Sequence, residues 1–267
     1  LKITFLGTGT SQGIPIIGSQ HPVCHSDDPR DKRLRVSVLL EWDDTTLVVD
    51  CGPDFRQQML SALSRKRSKN TPMPTLAGIL FTHEHADHVA GIDDIRPFVF
   101  NQGDMPIYGH QRVIETLQRR FDYVFATENR YPGAPSVSPI AVQNNHPFTI
   151  DGVSIVPIEV YHGKLQVFGY RFDRIAYLTD VKTIADAEIE KLKDLDILVL
   201  NALRHEPHPT HLNLEEAIAL AQQIGAKRTY FTHISHHMGF HAEVAPTLPP
   251  NMYLAYDGLT LNTADEA

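Results

Sequence analysis

The chain has 267 residues, 42% of them hydrophobic and 21% charged, which suits a globular protein with one domain over residues 1–267. A formal net charge of −8 argues against a protein that coats nucleic acid, since such binding relies on excess Lys and Arg, and no stable nucleic-acid partner is expected. Cys24 and Cys51 alone exclude a disulfide framework, no apolar run is long enough to span a bilayer, and no signal-peptide segment is recognisable. The expectation is therefore a cytoplasmic protein without a membrane partner. The informative excess is histidine, at 15 residues, many of them beside acidic residues or Gly in loop-like places where metal or proton chemistry explains them better than packing.

Residues 1–6 alternate apolar and polar and predict a first strand. The turn that follows, Gly7-Thr-Gly-Thr-Ser-Gln-Gly13, has the wrong glycine spacing for a dinucleotide loop, and Ile14-Pro15 does not open a helix. His21, Cys24 and His25 collect in the next segment, and residues 30–35 form a basic connector in which Arg33 and Arg35 are candidates for structural ion pairs. Residues 36–40 and 46–49 predict two strands joined through Asp43-Asp44, and Asp50 before Gly52-Pro53 suits an Asx turn. A helix is expected over 55–63 and a basic, Pro-containing loop over 64–75.

An apolar run over 76–81 predicts a buried strand. The loop leaving it, Phe81-Thr-His-Glu-His-Ala-Asp-His88, carries four candidate metal ligands: His83, His85, Asp87 and His88. Histidines two apart on extended backbone project the same way and can share one metal, while Asp87 and His88 are placed to serve a second. Two cations held close together form the clamp used in hydrolysis of phosphate esters. A His-rich surface loop is the alternative, and a mixed His/carboxylate cluster directly after an apolar strand fits it poorly.

Helices are expected over 89–100 and 111–121, with a strand over 105–109 between them. Residues 122–139, rich in aromatics, Pro and Gly, show no period and read either as a cover over the site or as an ordinary surface loop. Strands are predicted over 149–160 around Asp151-Gly152, over 167–172 and over 175–179. Lys164, in Tyr161-His-Gly-Lys164, is a candidate phosphate contact or an exposed lysine without a role. Asp180 ends a strand and could cap a helix beginning near Ile184. A helix over 188–195 and a buried strand over 196–200 lead to a segment holding Arg204, His205, His208 and His211. Asn213-Leu-Glu-Glu216 has the pattern of a capping box for a helix through Ile224, so His211 lies just before a helix N-terminus, where the dipole disfavours imidazolium and attracts phosphate. A last long strand over 228–232 precedes His233-Ile-Ser-His-His237. Residues 252–256 and 259–261 are expected to close the sheet, with a frayed tail after Asn262.

The His83-Glu-His85-Ala-Asp87-His88 run resembles the His-Xaa-His-Xaa-Asp-His signature of the metallo-β-lactamase superfamily, and five separated motifs from the Gly-Thr-Gly turn to His233 follow the superfamily's order. The resemblance implies an α/β fold, the αββα sandwich of two mixed sheets flanked by helices, with a metal site along one edge. It implies one metal bound by His83, His85 and His162 and a second by Asp87, His88 and His233, with Asp180 bridging and Asp50 supporting the His loop. These nitrogen and oxygen ligands suit two divalent ions, Zn, Mn or Fe. Ser11 and Gln12 would lie near the metals and meet substrate, and Asp93, Asp94 and Arg96 resemble a structural pairing of the family.

Tyr161-His-Gly-Lys164, Thr232-His-Ile-Ser-His236 and the separate His211 are most similar to the cyclic-phosphate phosphodiesterases of the carbon–phosphorus lyase pathway. That similarity implies hydrolysis of a small phosphodiester, such as a phosphoribosyl cyclic phosphate, by a metal-held hydroxide, with His211 protonating the leaving oxygen. Those enzymes carry a cysteine-rich structural zinc near residues 18–25, completed by a late histidine. Here Ser19 and His21 replace cysteines, so His21, Cys24 and His236 are candidates either for an additional structural zinc or for a hydrogen-bonded cluster. Two further readings are a transfer-RNA 3′-processing endonuclease, opposed by the acidic chain without a basic arm, and a noncatalytic metal- or nucleotide-binding module, opposed by the complete ligand set. Thioester or lactam hydrolysis stays open because fold does not fix chemistry. The expected partner is the small substrate, with a homodimer open.

Overall fold

The structure, a computed structural model, describes residues 1–64 and 73–264. Most of the basic loop expected over 64–75 and the end of the tail lie outside those residues. One mixed sheet contains β1 (Lys2–Gly7), β2 (Ser37–Trp42), β3 (Thr45–Val49), β4 (Gly78–Leu80), β5 (Met105–His110), β6 (Val137–Val142) and β15 (Thr260–Asn262), in the order β15-β1-β2-β3-β4-β5-β6. The other contains β7 (Phe148–Ile150), β8 (Val153–His162), β9 (Leu165–Phe172), β10 (Ile175–Leu178), β11 (Thr183–Ile184), β12 (Ile197–Asn201), β13 (Arg228–Thr232) and β14 (Met252–Leu254). Its order is β11-β8-β9-β10-β12-β13-β14, with β7 paired to β8. The helices are α1 (Phe55–Ser64), α2 (Ala86–Val89), α3 (Arg96–Gln102), α4 (Gln111–Arg120), α5 (Asp122–Phe125), α6 (Asp186–Ile189), α7 (Leu214–Ile224) and α8 (His241–Val244).

The period-two alternation of strands explains why the sheets stack face to face with helices outside. In β2, Val38 and Leu40 enter the core between the sheets, beside Phe168, Tyr170 and Tyr177 of the second sheet. Leu39 points the other way, into a second core with Phe55 and Met59 of α1, Phe98 of α3 and Leu117 of α4. On the far side, Leu198 and Leu200 of β12 pack against Leu214, Ala217, Leu220 and Ile224 of α7. The result is the αββα sandwich. Its inter-sheet layer is solvent-free at Phe5, Tyr170 and Tyr177, and truncating such an aromatic ring to Ala should cost about 3–5 kcal/mol.

Several local elements differ from expectation. The helix expected over 89–100 is a 3-10 turn, Ile92–Ile95, followed by α3, because Pro97 in the first turn of α3 cannot donate a hydrogen bond backwards. The period-free stretch 122–139 holds the single turn α5 and the start of β6, an edge strand where Pro139 costs no ladder bond on its open side. Ile184 lies in β11, so Asp180 caps no helix, and residues 188–195 form only the end of α6 and a 3-10 turn, Glu190–Leu192. The two C-terminal strands close different sheets: β14 joins β13, whereas β15 joins β1.

This topology gathers the loops that matter. Strands β3 and β4 run parallel, as do β10, β12 and β13, so the loops after their C-terminal ends open on one edge. Across that edge the Phe168 N–H donates to the Thr82 carbonyl (3.0 Å) and the Tyr170 hydroxyl donates to the Phe81 carbonyl (2.8 Å). The loop after β4 is thereby fastened to the second sheet.

Candidate metal centre

Asp50 leaves β3 fully buried, and its carboxylate accepts hydrogen bonds from the Thr82 backbone N–H (2.9 Å) and the Thr82 hydroxyl. His88 Nδ1, also buried, lies 2.7 Å from Asp50 Oδ2. A carboxylate can only accept, so Nδ1 carries the proton and Nε2 faces the centre. That Nε2 is 3.3 Å from both Asp87 Oδ2 and Asp180 Oδ2. His233 Nε2 sits 3.3 Å from Asp180 Oδ1 and 4.0 Å from Asp87 Oδ2. Asp180 therefore turns one oxygen toward each of two imidazoles.

On the other flank His83 Nε2 is 3.0 Å from His85 Nδ1. The His162 ring lies 5.9 Å from that of His83 and 5.3 Å from that of His85, between centroids. His162 Nδ1 donates to the Thr210 carbonyl (2.8 Å), which leaves its Nε2 free as a ligand. His211 Nδ1 points inward, 3.7 Å from Asp180 Oδ1.

The donor set fits divalent cations. His88 Nε2, both nitrogens of His233 and His211 Nδ1 are buried without a hydrogen bond, and each such group costs about 1–3 kcal/mol if left unsatisfied. Three trios bring their ligand atoms within 4.8 Å of one another: His83, His88 and Asp180; Asp87, His88 and His233; His162, Asp180 and His211. His83, Asp87, His88, His162, Asp180 and His233 each enter at least one of these trios, and the grouping differs from the expected His83, His85 and His162 set. His85, at the exposed rim, approaches His83 without entering a trio, and His211 joins one as a potential ligand neighbour, which no sequence signal indicated.

The electrostatics follow from burial and crowding. Burial lowers His83 well below the ordinary imidazole value, and it also lowers His85 and His233. Burial, then the proximity of His233, depresses His211 to about 3. Burial opposes charge on His88 too, but Asp50, Asp180 and Asp87 outweigh it and raise that ring well above its usual range. Burial works against the Asp180 carboxylate as well, and His233 and His88 nevertheless hold it well below the usual value. Asp87 is lowered in the same way, chiefly by His88 against burial. Asp50 is raised, because desolvation exceeds the help of His88 and Thr82.

Three residues here leave their strands in the left-handed backbone region: Asp50 (φ 64°), Asp180 (φ 58°) and His233 (φ 56°). The Gly-Thr-Gly turn lies beside the last of them, with the Ile234 N–H donating to the Thr8 carbonyl (2.9 Å) and the Thr10 N–H to the Ile234 carbonyl (3.1 Å). Ser11 and Gln12 are exposed at its tip, and Lys164 is exposed on the turn after His162. The capping box is present, with Asn213 Oδ1 accepting from the Glu216 N–H and the Glu216 carboxylate accepting from the Asn213 N–H.

The more distant trio is not assembled. The His21, His236 and His237 rings cluster at 4.0–5.5 Å between centroids, while Cys24 is buried with Ile14 and Val23. Among the described residues, no group of ligand atoms within 4.8 Å includes His21, Cys24 or His236. His205 Nε2 donates to the Met238 carbonyl (2.9 Å), and His241 is buried against Arg33.

A layered sandwich with His- and Asp-bearing loops converging on one edge defines a metal-dependent hydrolase. The family model described as a beta-lactamase superfamily domain matches residues 45–234. A crystal structure of a diphosphatase from the PhnP family superposes with a TM-score of 0.87 at 40% identity, covering 97% of this chain and 96% of that one. The chain belongs to the metallo-β-lactamase superfamily and, within it, to the PhnP family. An octanoyltransferase of Porphyromonas gingivalis is 39% identical over 261 residues, 97% of this chain and 51% of the relative, so the chain spans about half the length of that protein. Zinc-bound PqqB from Methylobacterium extorquens shares the fold, with a TM-score of 0.78 at 19% identity over 98% of this chain and all of that one. No helix among the described residues is long and apolar enough to cross a membrane.

Proposed function

We propose that the chain is a dinuclear phosphohydrolase acting on a small phosphodiester or on the related bridge of a diphosphate. The observation that carries this reading is Asp180, whose two oxygens face His88 and His233 on opposite sides while both rings present nitrogens with no hydrogen-bond partner. His83, His85 and His162 would hold one cation, and Asp87, His88 and His233 the other, with Asp180 between them. Two divalent ions there, zinc, manganese or iron, would neutralise phosphoryl charge and acidify water.

The chain's own side chains do the rest. Thr210 orients His162 through its carbonyl, and Asp50 orients His88. With its pKa lowered to about 3 in the free protein, His211 is neutral at physiological pH and must take up a proton from solvent before it can act as an acid. The negative charge of a bound phosphate beside it favours the proton, which suits protonation of a leaving oxygen. Lys164, next to His162, would meet an outer phosphate oxygen, and Ser11 and Gln12 the remainder of the substrate. Two buried free cysteines suit a reducing, cytoplasmic setting.

The test is hydrolysis of bis(p-nitrophenyl) phosphate and of a nucleoside diphosphate derivative by metal-reconstituted protein, with metal counted on the same sample. Turnover with two metals per chain is expected. Cleavage of precursor tRNA in preference to small substrates would favour a processing nuclease. Hydrolysis of an octanoyl thioester without phosphoester turnover would favour the acyl chemistry named for the Porphyromonas relative, and either result would overturn the proposal.

A further inference from the structure

Glu84 stands between His83 and His85, and no ligand role uses it. Its carboxylate is gripped from the first turn of α4: Arg112 Nε donates to Oε1 (2.9 Å) and Arg112 Nη2 to Oε2 (3.2 Å). The same Nη2 also donates to the Gln166 carbonyl in β9 (2.6 Å). In the β8–β9 register Gln166 lies opposite Tyr161 and Leu165 opposite His162. One guanidinium thus ties the loop that carries His83 and His85, which leaves the first sheet, to the hairpin that carries His162, in the second. Farther along α4, Arg120 Nη1 donates to the Glu84 carbonyl (2.5 Å) and restrains the same residue from its backbone.

The pair is only partly buried, with 32% and 15% of the two side chains exposed, so its direct contribution to stability is small. What it supplies is geometry. A forked, planar guanidinium fixes direction as well as distance, which an ammonium cannot reproduce. The metal ligands themselves come from loops of two separate sheets, and loops position groups less well than strands unless braced.

We propose that Arg112 is a positioning residue that sets the spacing of His83, His85 and His162, and with it the affinity for the cation those three would hold. On the other side His88 has its own brace in Asp50, which Thr82 fixes in turn, while the Thr82 hydroxyl also lies 3.0 Å from His83 Nδ1, so Arg112 is the brace that reaches toward His85 and His162. The proposal rests on the two-metal assignment above. Its distinctive consequence is asymmetry between the two cations.

Metal-free wild type, Arg112→Met, Arg112→Lys, Glu84→Gln and the Arg112→Met/Glu84→Gln double variant would be titrated calorimetrically with Zn²⁺, after circular dichroism and thermal unfolding confirm the fold. The wild type should bind in two phases. Arg112→Met should weaken one phase about 10–100-fold and leave the other unchanged, and Arg112→Lys should restore it only in part. Glu84→Gln, nearly isosteric, should weaken the same phase, and the double variant should lose no more than the worse single one. Wild-type affinity in both phases of Arg112→Met, equal weakening of both, or additive losses would overturn the proposal. A wild type that takes up no zinc would instead overturn the metal-centre reading beneath it.

Discussion

His88 Nδ1 and Asp50 Oδ2 lie 2.7 Å apart with neither side chain reached by solvent. This contact decides which imidazole nitrogen is available to a cation, and Thr82 fixes the carboxylate in turn with its N–H and hydroxyl. Asp50→Asn keeps the shape but removes the charge and lets an amide N–H face Nδ1. The expected result is a folded protein whose metal affinity falls about 10–100-fold. Metal content after dialysis against a graded chelator series would measure it, and a wild-type profile would show that the contact serves folding alone.

Asp180 is the shared carboxylate of two trios. Asp180→Ala should therefore lose metal and phosphodiester turnover together, with fewer than two ions per chain by elemental analysis. Unchanged metal content would refute its bridging position.

His211→Ala separates two roles that the geometry permits, because the ring belongs to a ligand trio and also fits a proton donor. The expectation is retention of both metals with a rate loss of about 10²–10⁴-fold for alkyl esters, shrinking sharply for nitrophenyl esters that leave without help. An equal loss on both substrate types would count against proton donation, and loss of metal would make His211 a ligand.

His241 offers a test of stability against pH away from the centre. It is buried, and burial followed by Arg33 and Arg30 lowers its pKa to about 4 from an ordinary 6.5, against the opposing pull of Asp28 and Asp31. Above pH 6.5 the ring is neutral in both folded and unfolded chains and the contribution is complete. As pH falls from 6.5 toward 4 the unfolded chain takes up a proton that the folded one refuses, so stability drops, by at most about 3 kcal/mol. Denaturant unfolding of metal-free protein across that window should show the fall, and because His83, His85, His211 and His233 are lowered in the same direction, His241→Gln should reduce the fall by its own share without abolishing it.

The ligands of the His83–His88 loop were legible because their signals are local. Contiguous polar residues after an apolar run can be read without knowing what lies opposite, whereas His162, Asp180 and His233, single residues at strand ends, are indicated only by the resemblance to the superfamily. The layered fold followed from strands such as β2, where Val38, Leu39 and Leu40 are all buried but on alternate faces. Single-turn elements such as α5 and α6 are too short to display a period, which is why residues 122–139 show none and the helix expected over 188–195 is only the end of α6 and a 3-10 turn. The Arg112–Glu84 pair spans 28 residues, and nothing in the spacing tells which carboxylate an arginine on α4 will meet. The histidines near Cys24 had suggestive composition, yet composition does not aim side chains at a common point.

The left-handed backbone at Asp50, Asp180 and His233 carries a lesson for engineering. Glycine would adopt these angles without the roughly 1 kcal/mol per residue that a side chain costs there. Each position keeps its side chain because the turn aims it into the centre. At Asp50, however, glycine would strand the buried Thr82 and His88 donors at about 1–3 kcal/mol each, so at that corner heat resistance and metal chemistry select the same side chain.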